Sequence, residues 1–520
     1  MSAAAEPTGG TVADGGDRWR YFWLAVAMAV VYSAVHIAAR LLASPNLGED
    51  DPLTNVYIQE LASGYSLGQP PLFEWVMWLT QRVGGPTLLG FQLVKYAFLI
   101  GTIAAIYLAT FEITRDGVWS VITAEALTLI YHVGWRFHEG FTGIIPAMFF
   151  AALSLYILLR LIALGRTRDF VLLGLVFGLG LLSAHNFAIA ILSFLTAAAI
   201  EREVRPKVFR WPLLLSLAVA VATVAPYYLW ALREADGWTA LGGVQTIFTN
   251  DSSYHTFWRV LRKAAGAPFG FFWSLLIFLL LASLPTVRDH FRVRIFPRIN
   301  WHGRPIHRFL AIYTCAAFVL LFLSGVAFSY VRYANHDLLS FLPPALVLLF
   351  VLIYLGEPTA AQMRRWAIIS FAIIAFAFVA RAANMFVLDP VCKICRWGVP
   401  YTDLAETLVQ QGFTPTGAIL AFESELAGNL RLRIPEAKIV MGRRNGIEAL
   451  LKRAGQRRPV AIVWQVGGKI GLREPRASMI RHLAEAGITS PVVTYKAPWH
   501  HVYKRTGYRH TEWNYALLRE

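Results

Sequence analysis

Residues 170–200 read FVLLGLVFGLGLLSAHNFAIAILSFLTAAAI, and the fold turns on how often this stretch crosses a bilayer. A helical crossing needs about 20 apolar residues, so the stretch is long for one crossing and short for two. Ser183-Ala184-His185-Asn186 interrupts it. Flanking charge decides the count. With Arg18 and Arg20 on the cytoplasmic side of the first span, two crossings keep three basic segments there: Arg166-Thr167-Arg168, Glu201 to Arg210, and Arg288 to Arg308. One crossing would send the later two outside, against the Lys/Arg bias of membrane loops. Two short, tilted or kinked crossings meeting near His185 are therefore predicted.

Outward from this hairpin, apolar stretches recur at 21–42, 88–110, 118–135, 143–164, 170–186, 187–200, 211–230, 267–286, 309–328, 338–355 and 367–388, about eleven crossings in all. The chain has 520 residues, of which 56% are hydrophobic and 15% charged, and its mean hydropathy is +0.50. That is too little charge for a water-soluble protein of this length. The net charge of +16 sits in short loops and the C-terminal tail, which fits contact with anionic membrane lipids rather than nucleic acid. Residues 1–20 read as a cytoplasmic tail without the basic start of a cleaved signal, so the first span is expected to stay as an anchor.

This topology leaves 43–87, 132–142, 231–266, a short turn near Arg332 and everything beyond about 388 outside. The first outer loop is too long for a simple connection. Its 53–65 segment has helical spacing, and Pro70-Pro71 stops one helix and starts another, so amphipathic helices on the membrane surface are expected. After residue 389 the character changes. Segments 418–422, 438–441 and 460–464 read as buried strands, with helical patterns at 446–454 and 476–486. The fold class is mainly α, a polytopic transmembrane helical bundle with a small C-terminal soluble α/β domain at 389–520.

Leu47-Gly48-Glu49-Asp50-Asp51, then Gly64-Tyr65, then Gln69-Pro70-Pro71-Leu72-Phe73-Glu74-Trp75 resembles the first outer loop of family 39-like glycosyltransferases of bacteria, which are related to protein O-mannosyltransferases and lipid A aminoarabinose transferases. Leu181 to Phe187, Pro226-Tyr227-Tyr228-Leu229-Trp230, Arg332-Tyr333 leading into Leu342-Pro343-Pro344, and Leu426 to Leu430 look like the same group. The resemblance implies a GT-C fold over 21–388, with 43–87 as outer loop. It also implies a polyprenyl-phosphate sugar donor and an active site at the outer face of the bacterial inner membrane. Departures are Gln69 where the family often has Lys or His, Ala184-His185 in place of a Lys-Tyr, and Glu139 where many members have an Asp in the turn before the fourth span.

Transfer from a lipid phosphate needs a base for the acceptor's proton and positive charge or donors for the leaving phosphate. The resemblance makes Asp50 the base, with inversion at the anomeric carbon. Asp51, counted with Asp50 as a catalytic residue, and Glu49, counted as substrate-binding, would orient the acceptor or a cation; a second acid, if one is needed, would be Glu139. The competing reading of the same residues is an acid-capped helix start, Asp51 followed by proline. Gln69, Arg136, His138 and Glu139 are candidate pocket residues. Arg332, with Tyr333, fits either a donor phosphate or lipid headgroups, and His185 fits either the pocket or ordinary packing. Lys95, inside the second span, is expected to snorkel, and Glu125 to turn inward. Cys392 and Cys395 are compatible with a local disulfide or two free thiols. The residues fix no cofactor: the acid cluster suits a divalent cation as well as an amine or a hydroxyl. The acceptor is an envelope lipid, glycan or protein. The rival functions are a polytopic transporter or flippase, disfavoured because one broken span has no mirrored counterpart, and a non-catalytic scaffold.

Overall fold

The computed structural model describes residues 15–138, 140, 143–234, 253–290, 305–327, 335–356, 358–387, 396–442, 446–466, 476–500 and 509–519. The chain is a polytopic helical bundle with a small mixed sheet near its C-terminus. By its internal contacts it divides into two compact units. One holds 1–32, 98–133 and 144–374, and the other holds 33–97, 134–143 and 375–520.

In the first unit, the 170–200 stretch is two helices, Thr167–Ser183 and Phe187–Ile200. Ala184 between them is extended (φ −159°, ψ 136°). At a rise of 1.5 Å per residue the two helices are about 26 and 21 Å long. The chain returns to the end it left: a side chain on Gly165 would come 3.2 Å from the Arg210 guanidinium. At the same end Arg308 grips Glu201 with two hydrogen bonds of 2.9 and 2.8 Å. Segments 166–168 and 201–210 and the start of the Pro305–Ala327 helix thus lie at one end of the helices. The helix Pro212–Glu234 packs against Thr167–Ser183, with Ser216 Oγ donating to the Phe170 carbonyl at 2.5 Å. Trp119, fully buried, donates its indole N–H to the Phe350 carbonyl at 3.0 Å.

Among the described residues, helix falls within each of the eleven apolar stretches. Seven helices among the described residues are long and apolar enough to cross a membrane by length and composition: Asp17–Ala43, Leu88–Thr114, Ile144–Leu164, Pro212–Glu234, Phe257–Leu281, Pro305–Gly325 and Ala360–Phe386. The helical segments Gly117–Leu129, Phe187–Ile200 and Pro343–Tyr354 are apolar but shorter.

The second unit is built around the sheet, whose strand order is β2-β1-β3-β5-β4. β1 (Ala418–Ala421), β2 (Lys438–Met441) and β3 (Val460–Val466) are parallel neighbours. β4 (Val493–Pro498) and β5 (His510–Leu518) extend the sheet antiparallel. The helices Tyr401–Gln410 and Ser424–Arg433 cover one face through Leu404, Leu408, Leu426 and Leu430. The helices Ile447–Ala454 and Arg476–Glu485 cover the other through Leu450, Met479 and Leu483. β1 is buried along its whole length, as expected of a parallel strand covered on both sides.

The first loop also belongs to this unit. Its opening helix is short, Asp51–Tyr57. It packs against Ser424–Arg433 so closely that a side chain on Gly428 would meet the Pro52 carbonyl at 2.1 Å. This corrects the expectation of a helix lying on a lipid surface: Pro52, Thr54, Asn55 and Val56 are buried in protein. Pro70-Pro71 does start a helix, Leu72–Gly84.

Candidate active site

Glu49 and Asp50 are exposed, and Asp51 is only 2% exposed. Three consecutive acids thus have different environments because a helix begins among them. Glu49 takes a left-handed backbone (φ 51°), uncommon for a side chain of this kind. Asp50 stands at the N-cap position in a helical conformation, and its side chain makes no capping hydrogen bond. Helix capping therefore does not account for the Asp50 carboxylate. Asp51 is the first helical residue, and its side chain turns into the protein.

There it meets Lys95 of the Leu88–Thr114 helix, with Nζ 2.6 Å from Oδ2 and the lysine side chain fully buried. Lys95 was expected to reach lipid headgroups. It is instead the counterion of a buried acid, since an unpaired buried charge is far costlier than a paired one. Burial pushes the Asp51 carboxyl up and the Lys95 ammonium opposes it, with the Asp50 charge adding to the rise. Asp51 Oδ1 accepts no hydrogen bond among the described residues.

Glu74, in Leu72–Gly84, is also buried. Burial pushes its carboxyl up to about 7, against hydrogen bonds from its own backbone and from Thr54, with Asp50 contributing repulsion. The Thr54 hydroxyl is 3.5 Å from Glu74 Oε1.

Gly140 and Gly143 lie against the first loop. A side chain on Gly140 would come 2.6 Å from Glu49 Cβ, and one on Gly143 would collide with the Gln69 amide. His138, 1% exposed, has Nδ1 2.5 Å from the Tyr96 hydroxyl. It stacks flat on His36, with ring centroids 3.8 Å apart. The Arg381 guanidinium donates to the His138 carbonyl at 3.3 Å and toward His36 Nδ1 at 3.5 Å. Burial holds His138 well below the usual imidazole range, reinforced by His36 and Arg381 and opposed by a hydrogen bond to Gly134. It is a neutral ring at pH 7. Arg136 is half-buried in the same turn. Arg40 donates to the Ser44 carbonyl at 2.7 Å, also reaches the Asn46 carbonyl, and lies over the Trp397 ring.

The structure thus brings Glu49, Asp50, Asp51, Gln69, Arg136 and His138 into one unit. His185 belongs to the other. It is half-buried at the break between Thr167–Ser183 and Phe187–Ile200, with Nδ1 3.2 Å from the Tyr228 hydroxyl and Nε2 3.4 Å from that of Tyr227. Glu139, Arg332, Tyr333, Cys392 and Cys395 lie outside the described residues. Among the described residues no three His, Cys, Asp or Glu side chains gather as a metal site. Sequence reasoning missed Arg381, His36, Arg40 and the role of Lys95. A charged or imidazole side chain inside an apolar span was the available signal.

Several known proteins resemble this chain. The family described as dolichyl-phosphate-mannose-protein mannosyltransferase matches residues 68–230. The lipopolysaccharide core galacturonosyltransferase RgtB of Rhizobium johnstonii is 26% identical over 483 residues, covering 89% of this chain and 92% of the relative. RgtA of the same organism, also a lipopolysaccharide core galacturonosyltransferase, is 24% identical over 455 residues, covering 84% and 86%. The crystal structure of ArnT from Cupriavidus metallidurans bound to undecaprenyl phosphate superposes with a TM-score of 0.59 at 14% identity, covering 94% of this chain and 97% of that one. By sequence the chain is thus similar to membrane glycosyltransferases of the protein mannosyltransferase and lipopolysaccharide core galacturonosyltransferase kinds, and its fold is similar to that of ArnT.

Proposed function

We propose that the protein transfers a uronic acid of the galacturonosyl type from a polyprenyl-phosphate carrier to the core of lipopolysaccharide, at the extracytoplasmic face of the inner membrane. The observation that carries the reading is the contrast within the acidic run: Asp50 is exposed, while Asp51 beside it is buried against Lys95. The lipid-linked donor is supported by the ArnT fold, solved with undecaprenyl phosphate. The uronic acid and the acceptor are supported by RgtA and RgtB.

In the reaction, Asp50 takes the proton of an acceptor hydroxyl as that oxygen attacks the anomeric carbon. The bond from that carbon to the phosphate oxygen breaks with inversion, and polyprenyl phosphate leaves with its electron pair. A negative donor approaches most easily where acids are masked. Asp51 is paired with Lys95, and burial pushes the Glu74 carboxyl up to about 7, so that it is only partly ionised at neutral pH; neither adds its full repulsion. Arg136, in the turn against Glu49, is the proposed contact for the leaving phosphate.

The test is mass spectrometry of lipopolysaccharide from cells with and without the gene, complemented by wild type or Asp50→Asn. The expected result is a core lacking one hexuronic acid in the deletion, restored by wild type and not by Asp50→Asn. An unchanged core in the deletion would reject the reading.

A further inference from the structure

We propose that the helix Ser424–Arg433 of the C-terminal sheet region is a clamp that sets the position of Asp50, with Asn429 and Arg431 as its positioning residues. The inference rests on the assignment of Asp50 as the base and goes beyond it, because these residues do not touch the acid.

The grip falls on the backbone on both sides of Asp50. Before it, the Asn429 amide pairs with both polar groups of Leu47: the Leu47 N–H donates to Oδ1 at 2.8 Å, and Nδ2 donates to the Leu47 carbonyl at 3.2 Å. Nδ2 is itself anchored on the Glu425 carbonyl at 2.8 Å. After it, Arg431 donates to the carbonyl of Asn55 and, at 3.0 Å, to its Oδ1. The Asn55 amide donates back to the Gly428 carbonyl at 2.8 Å. Between the two grips, Gly428 lets the helix backbone meet Pro52 directly. A third tie lies further on, where Gln59 exchanges hydrogen bonds with the Ile439 carbonyl (2.9 Å) and N–H (2.8 Å) of β2.

Apolar packing alone does not explain this choice of residues. Asn429 and Asn55 are 0% exposed and Arg431 is 7% exposed. Burying an amide or a guanidinium is unfavourable unless it is hydrogen-bonded; Arg431 is held through Nη1, while its Nε has no partner among the described residues. Such bonds fix direction as well as contact, which a greasy interface does not. The loop they hold carries a left-handed Glu49, a conformation that persists only when its surroundings impose it. A base displaced by about 1 Å can lose about a hundredfold in rate, so a loop that must keep Asp50 in line needs an external frame.

The experiment uses the full-length protein in detergent micelles and two variants, Asn429→Ala and Arg431→Met. Amide hydrogen exchange is followed in peptides spanning 46–59 and, as a check on the fold, in β1 and β3. Initial rates are measured with a polyprenyl-phosphate galacturonate donor and lipopolysaccharide core acceptor. Expected are exchange at 46–59 faster by about tenfold or more with β1 and β3 unchanged, and kcat lowered by about tenfold or more with donor KM within about twofold. Unchanged exchange at 46–59 in both variants overturns the clamp. So does faster exchange at 46–59 with undiminished kcat. Should β1 and β3 also loosen, Asn429→Ser, which removes less of the side chain, replaces the alanine variant under the same criteria. The two ideas fail separately: full activity in Asp50→Asn rejects the base, while exchange at 46–59 still decides whether the helix holds the loop.

Discussion

Lys95 and Asp51 show how little adjacency in sequence says about chemical role. Asp50 and Asp51 are neighbours in one acidic run, yet one is exposed and the other is held at 2.6 Å by a lysine from a different helix. Removing one member of a buried pair leaves the other charge stranded, at a cost of about 3–5 kcal/mol, whereas replacing both by apolar groups is often close to neutral. Lys95→Met is therefore expected to lower the unfolding free energy by about that amount, and Lys95→Met with Asp51→Leu to recover most of it. Thermal unfolding of both variants in micelles reads this out, and a double variant no better than the single one would mean that the pair is not an isolated unit. Glu74 gives the pH dependence. Its folded carboxyl sits at about 7 against 4.5 unperturbed, so the folded state binds the proton more tightly. The stability that this lends is full below about pH 4.5 and is lost as pH rises through about 7. A gap of that size corresponds to at most about 3 kcal/mol. The melting temperature of the wild type should drop from pH 5 to pH 8 more steeply than that of Glu74→Gln, and equal slopes would refute the assignment. At this scale the sequence pointed to the acids and to the 136–139 turn through a family resemblance. It could not show that Asp51 is buried while Asp50 is exposed, because burial of the second depends on a lysine 44 positions away that composition reads as a surface anchor.

The elements were legible where periodicity is strong. β1, β2 and β3 are short apolar runs and fall where their hydrophobicity puts them. β5 escaped notice because its sequence His510–Leu518 mixes polar and aromatic residues, with Trp513, Asn514, Tyr515 and Ala516 buried in succession as the strand is covered on both faces. β4 carries Lys496 and ends at Pro498, which mask its pattern. The Asp51–Tyr57 helix was misjudged for another reason: amphipathic spacing shows that a face is buried, and says nothing about whether lipid or protein covers it. Protein covers it here, at a contact with no room for a methyl group. Gly428→Ala would place Cβ 2.1 Å from the Pro52 carbonyl, a backbone atom that cannot swing away. Overpacking of this kind costs about 1–3 kcal/mol. The variant should be less stable by that margin and more open to proteolysis between residues 46 and 59. Wild-type stability and resistance would show that the two helices do not meet at this point.

At the scale of the molecule, alternating spans and basic loops were enough to give a helical bundle, and the break at Ala184 was visible as a polar interruption. The gathering of 33–97, 134–143 and 375–520 into one unit was not visible. The first loop joins the C-terminal sheet region through side-chain amides and an arginine that recognise backbone hundreds of residues away, and such pairings leave no periodic trace in a single sequence. That gathering matters because it places the acids, the 134–143 turn and the Ser424–Arg433 helix in one framework, as a base that must stay in line requires. The account as a whole stands on Asp50 removing a proton while a sugar leaves its lipid phosphate. Its most direct test is release of polyprenyl phosphate by purified protein given a polyprenyl-phosphate galacturonate donor and lipopolysaccharide core. The wild type is expected to release it only when acceptor is present, and a folded Asp50→Asn protein at a rate lower by about a hundredfold or more. Release by Asp50→Asn at the wild-type rate would contradict the account.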